Sequence, residues 1–254
     1  MSEERVKVRI RDLYFSYQGK EVIHGLSLDI HAQEITAIIG PANSGITTLL
    51  RCLNRLYQLN PKTSLQGEIL IDGQDIHGKE VDINELRRKV GIVFDVPTSL
   101  PLSIYDNVAY GPRVQGEKDK NVLDEIVEKT LKEAVLWEAV KDRLNSPAQS
   151  LSGGQQQRLS IARVLALQPQ IIMLDRPCSG LDPVSTLQIE ESLIKLKEEY
   201  TIIIAPHNNQ QASRISDRLV FMLMGSLIEE GITEKVFSAP TDKRTNDYIT
   251  GRFG

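Results

Sequence analysis

The sequence predicts an α/β fold: a parallel sheet covered by helices, preceded by an antiparallel β lobe and interrupted by a helical lobe. Short apolar strands that each lead into a helical stretch are typical of such a sheet. Alternating strands occupy the start of the chain, and a long helical stretch separates two α/β halves. At 254 residues, 41% of them hydrophobic, the chain can bury a sizeable core. We expect one domain over 1–254, with the core at 1–94 and 153–254 and the helical lobe at about 95–152.

The β lobe is predicted from strands near the start of the chain. Val6 to Phe15 alternates apolar and polar residues, as a half-buried strand does. Leu26 to Ile30 predicts a second strand. Glu68 to Gly73 predicts a third, which leads into a turn. Together these strands indicate a small, largely antiparallel sheet.

The core is predicted from strands that are mostly apolar. Ile35 to Ile39 is such a strand, and it runs into a glycine-rich loop and then a helix from about Thr47 to Tyr57. Ile171 to Leu174 and Thr201 to Ile204 are further buried strands, each followed by a helical stretch. This alternation of strand and helix predicts a parallel sheet.

The helical lobe is predicted from Ser103 to Leu144. Ser103 with Asp106 forms an N-terminal capping pattern, and Lys120 to Ala134 carries apolar residues at helical spacing. The expected boundaries of this lobe are the loop Asp95–Pro101 and the turn Asn145–Ser152.

Composition excludes several classes of function. The net charge of −4 argues against broad nucleic-acid binding. Cys52 and Cys178 are the 2 cysteines and lie far apart, so a disulfide framework is not expected and a reducing compartment is. The first residues, Met1 to Arg5, lack the apolar core of a signal peptide. No apolar run approaches the roughly 20 residues that span a bilayer. We expect any work at a membrane to depend on partners.

A phosphate-binding pattern follows the first buried strand. Residues 40–47 are Gly-Pro-Ala-Asn-Ser-Gly-Ile-Thr, which fits the spacing G-x-x-x-x-G-K-[S/T] except that Ile46 replaces the lysine. Two glycines before a helix allow backbone N–H groups to point at an anion. Asn43 tolerates a left-handed conformation, and Thr47 offers a hydroxyl for Mg²⁺. On this loop alone, a plain strand-to-helix turn is an equally open interpretation.

Further motifs follow in a fixed order. Leu151 to Gln155 opens a helix that Ser152 can cap. Leu174-Asp175, Ser179 to Pro183 and His207 come after it. This series resembles the ATP-binding subunits of ABC transporters, and within them most the phosphate-importer subunit. The resemblance covers nearly the whole chain, and the narrower one rests on Leu50–Arg55, Ser103–Gly111, Ser152–Arg158 and the tail Asp247–Gly254.

The resemblance implies an ABC-type P-loop NTPase core and a role for each matching residue. Tyr17 would stack on adenine, although a surface aromatic of the β lobe stays an alternative. Mg²⁺ would be held by Thr47 and Asp175. His207 would be the switch histidine at the γ-phosphate, against the alternative of an ordinary packed or solvated histidine. Backbone N–H groups would contact phosphate at Gly40, Asn43, Ser44, Gly45 and Thr48.

The resemblance also implies that two subunits share each ATP site. Asp182 would link the two sites of a dimer. The γ-phosphate bound on the partner subunit would be covered by Ser152, Gly153, Gly154 and Gln155.

The chain departs from this family pattern where the chemistry occurs. Ile46, Asp95 and Arg176 stand where a lysine, a glutamine and a glutamate are usual. Loss of one preorganised electrostatic donor costs about 3–4 kcal/mol of barrier. Loss of a general base costs roughly 10²–10⁴ in rate. We therefore predict little or no hydrolysis and weakened binding of ATP and Mg²⁺. Pro206, in place of a usual threonine, is a minor change.

The substitutions move charges without changing their sum. The site loses one cation and one anion and gains one of each at Asp95 and Arg176. The family's fold brings these two positions near the γ-phosphate. We predict an ion pair between them. The alternative is that each is simply hydrated in an open cleft.

The resemblance therefore implies a hydrolysis-deficient ATP-binding subunit of a phosphate importer. We expect a homodimer beneath membrane permease subunits, at the cytoplasmic face of the membrane, with no nucleic-acid partner. Three alternatives stay open: a degenerate partner of a catalytic ABC subunit, a soluble ABC protein acting on DNA or ribosomes, and a non-catalytic regulatory module.

Overall fold

The computed structural model describes residues 5–252, which form two sheets and the helices around them. Residues 1–4, part of the segment from which no signal peptide is expected, lie outside the described residues, as do 253–254 of the tail. The described strands are β1 Val6–Tyr17, β2 Lys20–His31, β3 Ile35–Ile39, β4 Thr63–Ile71, β5 Gln74–Asp75, β6 Val90–Val93, β7 Ile171–Asp175, β8 Thr201–Ala205, β9 Arg218–Leu223 and β10 Ser226–Ile232.

The first sheet is the predicted antiparallel β lobe, with the strand order β2-β1-β4-β5. Alternation places Val8 and Ile10 inside, and a register shift after Ile10 keeps Leu13 inside as well. Leu26–Ile30 is only part of a strand of 12 residues. The predicted turn after Ile71 is confirmed, since Asp72 and Gly73 have positive φ angles of 51° and 79°.

The second sheet is the core, with the strand order β10-β9-β3-β8-β7-β6. Strands β9, β3, β8, β7 and β6 are parallel to their neighbours, and β10 closes the edge antiparallel to β9. The predicted strands β3, β7 and β8 are buried along their whole length. Strands β6, β9 and β10 were not predicted. The α/β fold class is confirmed.

The helices cover both faces of the core sheet. They are α1 Ile46–Leu53, α2 Ile83–Lys89, α3 Ile104–Val114, α4 Lys120–Glu133, α5 Trp137–Val140, α6 Gly153–Leu165, α7 Pro183–Leu196, α8 Asn209–Ile215, α9 Thr233–Ser238 and α10 Lys243–Ile249. Across residues 5–252, none of the helices combines the length and the apolar character that a membrane crossing requires.

The helix predicted over Thr47–Tyr57 requires correction. It begins one residue earlier and ends at Leu53, because Arg55 adopts a left-handed backbone with φ 56°. A separate 3₁₀ turn then covers Leu56–Leu59.

The predicted helical stretch consists of α3, α4, α5 and a short 3₁₀ turn. Ser103 caps α3 as expected, since its hydroxyl accepts a 2.9 Å bond from the N–H of Asp106. The stretch is interrupted at Val135, where a left-handed backbone with φ 53° ends the helical turn that follows α4. The boundaries at about 95 and 152 stay a prediction.

Two buried clusters lie on opposite faces of the core sheet. One contains Ile38 and joins α1 to the β lobe. The other contains Ile35 and Ile39 and joins the sheet to α3, α4, α6 and α7. The sheet is therefore held on both faces, and its strand ends are fixed where the functional side chains begin.

Candidate nucleotide-binding site

A cleft of about 950 Å³ opens at the carboxyl ends of β3, β7 and β8. Ligands of open α/β sheets bind at this edge. The predicted site residues that line it are Tyr17, Gly40, Asn43, Ser44, Gly45, Ile46, Thr47, Thr48, Asp175, Arg176 and His207.

The loop at residues 40–45 forms an anion cradle ahead of α1. Asn43 and Gly45 have positive φ angles of 65° and 89°, which turn successive N–H groups inward. A Cβ on Gly40 would lie 2.3 Å from the carbonyl oxygen of Met222, so only glycine fits there. The N-terminus of α1 adds positive potential.

Ser44 supports the assignment of this cradle to phosphate. Its Oγ is buried and has no hydrogen-bond partner among the described residues. An unpaired buried hydroxyl costs free energy. A phosphate oxygen in the cradle would accept a hydrogen bond from this hydroxyl. The residues present therefore fit a phosphate group.

The two predicted magnesium ligands meet directly. The hydroxyl of Thr47 donates a 2.7 Å hydrogen bond to Oδ2 of Asp175. Asp175 is only 6% exposed and ends β7. A hydroxyl and a carboxylate at the edge of a phosphate cradle are oxygen donors suited to Mg²⁺. The donor set therefore fits that ion.

Ile46 gives the cradle no cation. It is the first residue of α1, half-buried, and packs against the buried cluster that contains Ile38. Within residues 5–252, the lysine and arginine side chains lining the cleft are Lys20 and Arg176. A phosphate in the cradle would therefore interact with backbone dipoles, and α1 supplies no lysine at position 46 to neutralise its charge.

The ion pair predicted between Asp95 and Arg176 is present. Nη2 of Arg176 lies 3.2 Å from Oδ2 of Asp95. Their side chains are 56% and 38% exposed, so the pair contributes only about 0–1 kcal/mol to stability. The N–H of Val96 donates 2.9 Å to the other carboxylate oxygen of Asp95.

The backbone of Arg176 is tightly placed. Its φ of 47° is left-handed, which is rare outside glycine. Its N–H donates to the carbonyl of Ala205 at 2.8 Å, and its carbonyl accepts from the N–H of Ser179 at 3.1 Å. The guanidinium therefore projects from a fixed point next to Asp175.

His207 and Tyr17 lie at two other edges of the cleft. His207 follows β8 and is exposed, with its backbone N–H donating 2.9 Å to Oε1 of Gln211. Tyr17 ends β1, and its ring packs edge-on against Phe15 with centroids 4.8 Å apart. Both residues line the cleft, and their roles stay predictions.

Six predicted residues do not line this cleft. Ser152 caps α6 in a reciprocal pair of hydrogen bonds with Gln155, at 3.1 and 3.4 Å. Asp182 caps α7, and hydrogen bonds from Ser185 lower the pKa of its carboxyl. The six residues outside the cleft are Asp95, Ser152, Gly153, Gly154, Gln155 and Asp182.

Comparison with known proteins identifies the family. A family model described as ABC transporter matches residues 23–179. The chain belongs to the ABC transporter family. Domains of this family bind ATP with Mg²⁺, and the cradle and the Thr47–Asp175 pair fit both.

Two solved ABC structures resemble the chain over almost its whole length. One is a bacterial Atm1-family ABC exporter with ATP bound, at 27% identity and a TM-score of 0.82. The match covers 99% of this chain and 42% of the exporter chain, so the chain spans less than half of that protein. The other is cbiO1 from Clostridium perfringens, part of the ABC transporter complex cbiONQ, at 29% identity and a TM-score of 0.81. That match covers 98% of this chain and 97% of cbiO1.

Sequence reasoning missed some residues of this ABC cleft. Tyr248 on α10 lines it, and its ring stacks on Phe221 with centroids 4.9 Å apart. Burial raises the pKa of Tyr248, partly offset by a hydrogen bond with the backbone of Gly40. The tail 247–254 was singled out by resemblance, but no local pattern points its tyrosine at the cradle. Lys20 and His24 on β2 also line the cleft, without a sequence signal.

Proposed function

We propose that this chain is the ATP-binding subunit of a phosphate importer and that it hydrolyses ATP poorly or not at all. The observation that carries the proposal is that the phosphate cradle and the Thr47–Asp175 pair are present, while the neighbouring positions at which the family carries its catalytic side chains are altered. Ile46 supplies no cation, and Arg176, at the end of β7, cannot polarise water as a carboxylate does. The site keeps the parts that bind and lacks the parts that hydrolyse.

Turnover by purified protein tests the deficiency. We expect the unaltered chain to release phosphate from ATP at the background rate. Ile46→Lys, Asp95→Gln and Arg176→Glu combined should restore turnover. Adding Thr47→Ala to the restored chain removes a proposed magnesium ligand and is expected to abolish it again. Robust turnover by the unaltered chain, sensitive to Thr47→Ala, would refute the deficiency.

Dimer formation is supported by the place of the four residues Ser152–Gln155. They lie outside the chain's own cleft, and a cap with both hydrogen bonds formed holds them in place. Helix α6 therefore presents an ordered N-terminus without a ligand site of its own. We propose that it completes the ATP site of a second copy in a homodimer.

A degenerate partner of a catalytic subunit is the second candidate, and the same residues favour it. Gly153→Asp is a suitable probe because a Cβ there meets only Leu181, at 3.8 Å. The restored chain carrying Gly153→Asp is expected to be inactive alone. Mixing it with the unaltered chain should recover activity if residues 152–155 complete a partner's site. No recovery would refute this role.

Docking to membrane permease subunits is supported by exposed apolar side chains beside the Asp95 loop. Leu59 and Val96 are 73% and 68% exposed, and Phe94 lines a small groove of about 260 Å³ with Leu59. The cbiO1 relative is part of a transporter complex. We propose that this chain binds its permease here, at the cytoplasmic face of the membrane, without a nucleic-acid partner.

Copurification tests the docking and the transported solute together. We expect permease subunits of a phosphate importer to retain the chain. Leu59→Asp and Val96→Asp should weaken retention, whereas Val122→Asp, on α4, should not. Retention by permeases of another solute class, and not by the phosphate permease, would replace the phosphate assignment while keeping the transporter one.

A further inference from the structure

The cationic side chains at the cleft lie away from the phosphate loop. Arginine and lysine are absent from the described loop 40–45 and from the first turn of α1. The permanent cations lining the cleft within the described chain are Lys20 on the β lobe and Arg176 beside Asp175. Arg176 is therefore the lining cation that lies next to the proposed magnesium pair.

The partner of Arg176 holds it weakly. One contact of 3.2 Å joins Nη2 to Asp95, longer than the 2.7–2.9 Å typical of a charge-assisted bond. Both side chains are substantially solvated, so exchange for another anion costs little. A guanidinium prefers an acceptor that it can meet with two parallel N–H groups, as a terminal phosphate offers. The fixed backbone of Arg176 keeps that guanidinium at the cleft in either arrangement.

The carboxylate side of the pair lies on a loop that reaches the helical lobe. Phe94, just before Asp95, accepts a 2.9 Å hydrogen bond from Nε2 of Gln157 on α6. Further along the loop, the carbonyl of Thr98 accepts 2.6 Å from Nη1 of Arg163, also on α6 of the core. The N–H of Leu100 then donates 2.9 Å to Oδ1 of Asn107 on α3 of the helical lobe. The pair therefore ties the end of β7 to the segment that joins the core sheet to α3.

We propose that Arg176 is a phosphate-responsive latch, which releases Asp95 and transfers its guanidinium to the terminal phosphate of a bound nucleoside triphosphate. The proposal rests on the nucleotide-binding function inferred above. It makes the site a sensor that distinguishes triphosphate from diphosphate without hydrolysis. Release of Asp95 detaches the loop at 95–101 from the end of β7 while its other hydrogen bonds remain, so the distinction is passed to the helical lobe.

Calorimetric titration with MgATP and with MgADP tests the latch. In Arg176→Gln we expect ATP affinity to fall at least tenfold and ADP affinity to change less than threefold. In Asp95→Asn, ATP affinity should rise a few-fold, because no ion pair has to break. The double variant should match Arg176→Gln alone. Arg176→Lys keeps the charge but lacks the two parallel N–H groups of a guanidinium. Its ATP affinity should lie between those of the unaltered chain and Arg176→Gln.

A second measurement follows the loop itself. Spin labels at Thr98→Cys on the loop and Glu191→Cys on α7 report their separation, while Cys52 and Cys178 are buried and free. ATP should shift the distance distribution and ADP should not. Arg176→Gln should show the shifted distribution without nucleotide.

The outcomes separate this proposal from the function on which it rests. If Arg176→Gln binds both nucleotides and its affinity for the two falls equally or not at all, the latch is overturned and nucleotide binding stands. A distance between the spin labels that does not change when ATP is added would also overturn the latch. Failure of every variant and of the unaltered chain to bind either nucleotide would overturn both.

Discussion

The missing lysine gives the most direct quantitative prediction. Ile46→Lys places an ammonium group at the first residue of α1, at the edge of the cradle. Ile46 is half-buried against the β-lobe cluster, and the four-carbon stem of a lysine can cover the same surface. The cost to folding is therefore expected to stay below about 1 kcal/mol.

The gain in binding follows from one new contact. A hydrogen bond to a charged group contributes about 1.5–3 kcal/mol. That range corresponds to roughly 10- to 150-fold in Kd. Since Arg176 is proposed to act only at the terminal phosphate, MgADP isolates the effect of the lysine. We expect Ile46→Lys to bind MgADP at least tenfold more tightly than the unaltered chain does.

Isothermal titration calorimetry measures this difference. Ile46→Met is the matched control, because it alters the shape of the side chain without adding charge. Its MgADP affinity should stay close to that of the unaltered chain. MgADP affinities of Ile46→Lys and the unaltered chain within twofold of each other would show that the cradle's backbone dipoles already neutralise the phosphates, and the electrostatic argument would be wrong.

Three further predictions follow from the structure. Gly45→Ala should impair both melting temperature and MgADP binding, since φ is 89° and the new Cβ would lie 2.9 Å from the carbonyl of Val22. Burial raises the pKa of the Cys178 thiol to about 11, so alkylation should be slow at pH 8 and rise as pH approaches 11; fast alkylation at pH 8 would contradict it. Arg214→Ala should cost about 1–3 kcal/mol in urea unfolding, because it removes the guanidinium that lies 2.6 Å from the buried carboxylate of Glu190 and leaves that carboxylate with a hydrogen bond from Gln211; a loss below about 0.5 kcal/mol would refute this.

The sequence predicted the parts of the site that depend on local chemistry. The cradle was predicted because its glycines and Asn43 fix a backbone shape within a few residues. The cap of α6 at Ser152 was predicted for the same reason. The Asp95–Arg176 pair was predicted because the site gains one acidic and one basic residue at positions that the family's fold brings together, and the 3.2 Å contact confirms it.

The elements that were missed depend on distant partners. Strand β6 is a four-residue run containing Gly91, and its pairing with β7 decides its conformation. Tyr248 reaches the cleft only because α10 packs its ring on Phe221. The hairpin of β9 and β10 did have a local signal, an apolar run followed by Met224 and Gly225, whose φ angles are 48° and 80°.

The altered positions contribute little to the fold, so the proposed loss of hydrolysis is compatible with an intact architecture. Asp95 and Arg176 are partly exposed and joined by a weak pair, and Ile46 keeps α1 packed as an apolar residue. None of them lies within the buried strands β3, β7 and β8 or at the capped start of α6. The proposed loss of hydrolysis is therefore compatible with folding and with the proposed dimer completion and permease docking. On these proposals the chain would respond to the presence of ATP and not to its consumption, and the charge of Arg176 would make that response specific for the terminal phosphate.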